Sequence, residues 1–66
     1  MRITVNGQQR ETADELSLVE LVSQISDRST GIAVAVNSEV VPRGSWPDTA
    51  IQPGDRIDVV TAVQGG

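Results

Sequence analysis

The chain has no cysteine, no histidine and no lysine, and tryptophan is its one aromatic residue. Without cysteine there is no disulfide framework and no thiol chemistry. Without histidine the commonest metal ligand and proton shuttle is missing, so neither a metal centre nor a catalytic metal is expected. Without lysine no Schiff base can form, and no internal amine can receive an isopeptide bond. All five basic residues are arginines spread along the chain, with no basic stripe to neutralise a phosphate backbone. Nucleic acid is therefore not expected as a partner. The sequence also lacks a signal-peptide pattern and any long apolar segment, from which a cytoplasmic protein with no membrane partner is expected.

What remains is short and acidic. At 66 residues the chain makes one small domain, which buries only about 60% of its unfolded surface. No second lobe is available to form a deep cleft, so size alone argues against a self-sufficient enzyme. A net charge of −4 favours solubility and steering toward a basic partner. Hydrophobic content is modest at 38%, but it falls in periodic blocks that can form a core.

The first block, Met1 to Asn6, alternates, with Ile3 and Val5 on one face and Arg2 and Thr4 on the other: a half-buried strand. Asn6-Gly7 is a strong hairpin signal because both residues tolerate positive φ. Gln8 to Thr12 is then a polar, exposed return strand. Ser17 and Glu20 have the spacing of a capping box, with Leu16 and Leu21 placed as a hydrophobic staple. Leu18, Leu21, Val22 and Ile25 follow at i, i+3, i+4 and i+7, which predicts a helix over about Ser17 to Asp27 with one apolar face. Asp27-Arg28-Ser29-Thr30-Gly31 breaks it.

Ile32 to Asn37 reads as a strand with Val34 and Val36 on one face and Ala33 and Ala35 on the other. Asn37-Ser38-Glu39 is read as a turn and Val40-Val41 as a short strand stopped by Pro42. Trp46 is expected as a lid over one end of the core, its indole N–H finding a partner, and Ile51 as a second plug. Gln52-Pro53-Gly54-Asp55 places Pro and Gly at the centre of a type II turn. That turn launches a β-branched run from Arg56 through Val63. The order predicts an α+β fold, with one main helix across a mixed sheet of four to five strands and the first and last strands adjacent and parallel. Ile3, Val5, Ile57 and Val59 would share the helix-facing side, leaving Val60 and Ala62 on the other.

Beyond that run, Gln64, Gly65 and Gly66 offer almost no bulk. Glycine has the widest backbone freedom and the least width, so a rigid strand ending this way can present its terminal carboxylate inside a partner's narrow cleft. Chain ends are also commonly frayed, and two terminal glycines occur by chance in roughly one chain in two hundred. The ending therefore carries weight only together with the rest of the pattern.

That pattern is Val36-Asn37, then Val40-Val41-Pro42-Arg43 and Trp46, then Gly54-Asp55-Arg56-Ile57, then Val63-Gln64-Gly65-Gly66. It resembles the ubiquitin-like, β-grasp sulfur carriers, most closely those of thiamine biosynthesis, and the likeness spans essentially residues 1–66 as a single carrier domain with a flexible Gly-Gly tail. The resemblance implies no bound cofactor and no catalysis by this chain. It implies instead a covalent site at Gly66, whose carboxylate is adenylated with ATP by an E1-like (ThiF-like) adenylyltransferase. A persulfide donor, such as that of a cysteine desulfurase, would replace AMP and leave a thiocarboxylate, which donates its sulfur to a thiazole synthase (ThiG-like). Val60, Ala62, Val63, Gln64, Gly65 and Gly66 are the expected partner-binding residues.

Other readings share parts of this pattern. For Val60 and Ala62, cover by a neighbouring loop stands beside partner contact. Trp46 reads as a packing residue. Arg43 reads as one half of a local surface ion pair, with a partner enzyme's carboxylate as the other reading. Glu11, Asp14 and Glu15 read as a solvated face, since exposed carboxylates have no burial to shift their pKa. A molybdopterin-synthase small subunit would share the fold and ending, but that family tends to carry aromatic residues before its tail and Val59 to Val63 has none. Carriers for cysteine synthesis or tRNA thiolation, a ubiquitin-like protein modifier, and a simple interaction module in which Gly66 does no chemistry complete the alternatives.

Overall fold

The computed structural model describes residues 1–25 and 31–61. Its strands are β1 (Arg2–Val5), β2 (Gln8–Glu11), β3 (Ile32–Val36), β4 (Glu39–Val41) and β5 (Arg56–Thr61). One α-helix, α1 (Leu18–Ile25), lies between β2 and β3, and a 3-10 helix spans Arg43–Asp48. The described strands form a single sheet in the order β2-β1-β5-β3-β4, so the last of them is its middle strand. β5 runs parallel to β1 and antiparallel to β3, as expected from the sequence.

The β1–β2 connection is the two-residue turn that Asn6-Gly7 predicts, with φ of 50° and 82°. The β3–β4 connection is tighter than the sequence suggests. Asn37 and Ser38 alone make the turn, at φ of 51° and 72°, and Glu39 already belongs to β4, paired with Val36. Asn37 therefore falls in the turn rather than at the end of the strand. Gly54 takes φ 83°, and the Asp55 N–H donates to the Gln52 carbonyl at 3.1 Å, closing the expected four-residue turn.

Helix α1 starts where the capping box puts it. The Ser17 N–H donates to Glu20 Oε1 at 3.0 Å, and the Glu20 N–H donates to Ser17 Oγ at 3.3 Å. Leu16 and Leu21, on either side of the cap, are both buried in the core. Leu18, Leu21 and Val22 are buried on the sheet, and Ile25 is packed against the same cluster. The helix is described as far as Ile25; an end at Asp27 lies outside the described residues.

Accepting two hydrogen bonds from Ser17, first its backbone N–H and then its hydroxyl, lowers the Glu20 pKa below its ordinary value of 4.5. A depressed carboxyl pKa stabilises the folded state above the unfolded value, and that contribution disappears as pH falls through the folded pKa. The wild type should therefore melt above Glu20→Gln at pH 7, and the difference should close below pH 4.5. Thermal melts of both proteins across that range check this, and a gap independent of pH would contradict it.

The core joins β1, β5, β3 and the helix through Ile3, Val5, Ile57, Val34 and the α1 residues, with Val59 packed at its margin. Trp46 and Ile51 close its end, both buried. The indole N–H of Trp46 donates to the Val41 carbonyl at 2.9 Å, the partner a buried tryptophan requires. The segment around Trp46 forms the 3-10 helix Arg43–Asp48. Pro42 precedes it, and an isolated bridge between Ser17 and Ala50 fastens its exit to the start of α1.

Candidate functional site

Of the residues expected to meet partners, Val60 is described and Ala62, Val63, Gln64, Gly65 and Gly66 lie outside the described residues. The site can therefore be built up to the point where the tail begins. β5 is held there from both sides. Against β3 its register runs without a break from Val36↔Ile57 to Ile32↔Thr61. Against β1 it is shorter, with only Thr4↔Arg56 and Val5↔Ile57.

Two asparagines, both at positive φ in hairpin turns, brace the strand further. The Asn37 side chain accepts the Arg56 N–H at 3.0 Å and donates to Asp55 Oδ1 at 3.1 Å, while the Asn37 backbone N–H donates to the Arg56 carbonyl at 2.7 Å. Asp55 Oδ2 in turn accepts the Gln52 N–H at 2.8 Å. Asn6 Oδ1 accepts the Val59 N–H at 2.8 Å. The sequence marked both asparagines as turn formers and missed that their side chains reach β5. No local signal carries that information, because the partners of Asn6 and Asn37 are 53 and 19 residues away.

Alternation along β5 sends Ile57 and Val59 inward and Val60 outward, where it is 59% exposed. A covering loop over Val60 is thereby excluded among the described residues. Val60 stands opposite Ala33 in β3, and Ala35, on the same face, stands opposite Val40 in β4, itself 73% exposed. These four make an apolar stripe across three strands that reaches the last described residues of β5 at Val60. Arg56 and Asp58, paired at 3.7 Å on the same face of β5, border it with charge.

The remaining candidates play structural parts. Arg43 makes no ion pair among the described residues. Its guanidinium instead lies over the Trp46 ring, 6.0 Å from the centroid, because the 3-10 helix folds the two residues onto each other. Glu11 pairs with Arg2 at 2.9 Å, and Asp14 with the Met1 amine at 3.1 Å, both on the surface as expected of a solvated face. Among the described residues no group of three or more His, Cys, Asp or Glu could hold a metal, and no helix is long and apolar enough to cross a membrane.

Comparison with known proteins extends the picture through the tail. The model of the ThiS family matches residues 3–66. The sulfur carrier protein ThiS of Escherichia coli is 35% identical over 66 residues, with the whole of both chains covered. A thiazole synthase of Paramagnetospirillum magneticum is 29% identical over 66 residues, which are all of this chain and 20% of that protein. The crystal structure of the thiamine biosynthesis protein ThiS from Geobacter metallireducens superposes with a TM-score of 0.88 at 29% identity, covering both chains completely. The family model spans nearly the whole chain and a full-length relative is 35% identical, and on those grounds the chain belongs to the ThiS family.

Proposed function

We propose that this chain is the sulfur carrier of thiazole formation in thiamine biosynthesis, with Gly66 as its covalent site. The observation that carries the reading is the placement of β5: the middle strand of the sheet, registered as far as Thr61, is followed in the sequence by Ala62-Val63-Gln64-Gly65-Gly66. The family match extends over those same residues.

A free carboxylate resists attack because it is anionic and has no leaving group. Adenylation of Gly66 by an E1-like enzyme with ATP supplies one, and a persulfide donor of the cysteine-desulfurase kind then displaces AMP. The acyl disulfide so formed is cleaved by a second thiol, which ends in a disulfide with the donor. The thiocarboxylate released on Gly66 has a soft, ionised sulfur that attacks a carbonyl-derived centre in the acceptor. That a protein named thiazole synthase contains a segment similar to this whole chain supports a thiazole synthase as the acceptor. The carrier holds no catalytic group of its own, and its Gly66 carboxylate is restored after each transfer. The stripe of Val60, Ala33, Ala35 and Val40 reaches the last described residues of β5 and supplies apolar area for docking while Gly65 and Gly66 enter the partner's channel.

The test is intact-mass analysis after incubation with an activating enzyme, ATP and a sulfur donor. One carboxylate oxygen should be exchanged for sulfur, localised by fragmentation to Gly66. An unchanged tail in the presence of a competent enzyme would overturn the proposal.

A further inference from the structure

We infer that Asn6 is a positioning residue for the tail: its side-chain carbonyl replaces the missing end of β1 and fixes the direction in which β5 leaves the sheet. The inference rests on the carrier reading and adds a residue to it.

In a parallel ladder every second residue of one strand bonds to two residues of its neighbour, one on either side of its own level. The Thr4 N–H donates to the Asp55 carbonyl at 2.9 Å, and the Asn6 N–H donates to the Ile57 carbonyl, also at 2.9 Å. The next bond in this series would run from the Val59 N–H to the main-chain carbonyl of Asn6. That carbonyl is unsuitably placed, because Asn6 at φ 50° begins the turn that takes the chain away toward β2. The side-chain Oδ1 of the same residue takes its place, 2.8 Å from the Val59 nitrogen. Position 6 thus requires a residue that tolerates positive φ and also carries an acceptor on a short arm. Asparagine meets both requirements and glycine only the first.

The location makes this bond matter for the tail. Val59 is two residues before Thr61, the last described residue in register with β3. Val5, Asn6, Gln8, Arg10, Ile25 and Val59 line a cleft of about 290 Å³ at this point, so no strand lies against β5 beyond the Asn6 side chain among the described residues. With the bond made, β5 is held on two sides up to Val59. Without it, the strand is held by β3 alone over its second half, and its end can swing about that single ladder. A carrier whose tail leaves in the right direction only part of the time has its apparent affinity for the partner reduced by that fraction.

Asn6→Gly removes the acceptor and keeps the turn; Asn6→Asp keeps both. In steady-state activation assays the KM for the carrier should rise roughly three- to tenfold in Asn6→Gly, the range expected from losing one solvent-accessible hydrogen bond. The kcat should stay near wild type, and Asn6→Asp should restore the KM. Hydrogen exchange should show the Val59 amide opening faster in Asn6→Gly, with the Ile57 amide protected as before. A wild-type KM in Asn6→Gly, unaltered exchange at Val59, or failure of Asn6→Asp to restore the KM would each overturn the inference. If the wild type itself acquires no sulfur, the carrier reading falls, and the exchange measurement still reports whether Asn6 holds the strand.

Discussion

Deleting Gly66 is expected to abolish sulfur transfer completely while leaving the folded domain as stable as the wild type. The two halves of that expectation come from different parts of the molecule. Among the described residues the buried core runs from Ile3 to Ile57, which keeps it well away in sequence from a change at position 66. Loss of the terminal glycine moves the carboxylate back by one residue, about 3.3–3.6 Å along an extended chain. Misplacement of a reacting group by even 1 Å can cost a hundredfold in rate. The narrow path that admits two glycines would also have to admit Gln64 one step deeper.

Adding one residue beyond Gly66 that cannot be trimmed should be equally severe, because the group presented for adenylation is then on a different, bulkier residue. The measurement is thiazole formation in a reconstituted system, read beside thermal melts of the same variants. An interaction module in which the terminus does no chemistry would keep its partner and its phenotype in both variants, and that outcome would end the carrier proposal.

The second large effect concerns stability. Ile57→Ala should destabilise the fold by about 2–5 kcal/mol, the usual cost of truncating a fully buried aliphatic side chain. Ile57 is 0% exposed and stands between Val5 in β1 and Val36 in β3, at the centre of the sheet. A chain of this length has a total stability of roughly 3–10 kcal/mol, so much of the variant should be unfolded at 25 °C. Val60→Ala, three residues along the same strand, should change stability by no more than about 0.5 kcal/mol, since its side chain faces solvent. Trp46, the single indole, is buried beside the core and reports unfolding by its fluorescence. Denaturant titrations of both variants provide the comparison. A loss at Ile57 no greater than at Val60 would mean that burial between sheet and helix is not what holds β5.

Among the described residues that carried the family resemblance, several meet in the structure and act as braces. Asn37 from one motif meets Asp55 and Arg56 from another, and Trp46 closes on Val41. Both contacts secure the middle strand or the end of the core beside it. Such residues were readable as a pattern before their purpose was, since a pattern is local and a brace is not. Arg43 illustrates the opposite case. An ion pair was the natural expectation for an exposed arginine in an acidic chain, but the 3-10 helix places its guanidinium over the Trp46 ring.

The elements themselves were set locally. Alternation in Arg2 to Val5, the Ser17–Glu20 cap, the 3.6-residue spacing of Leu18 to Ile25, and the two turns at Asn6-Gly7 and Pro53-Gly54 each involve residues within a few positions of one another. Short-range sterics and hydrogen bonding therefore decide them without help from the rest of the chain. The expectation that no side chain supplies thiol, imidazole or lysine chemistry was likewise a matter of composition. The folded arrangement decided what depends on distant residues meeting: that β5 is gripped by asparagines from two hairpins, and that Val60, Ala33, Ala35 and Val40 align into one outer stripe. Side-chain contacts across 19 or 53 residues exist only after the sheet has formed, because the entropy of closing such loops is met by the packing of the whole domain and by no single pair.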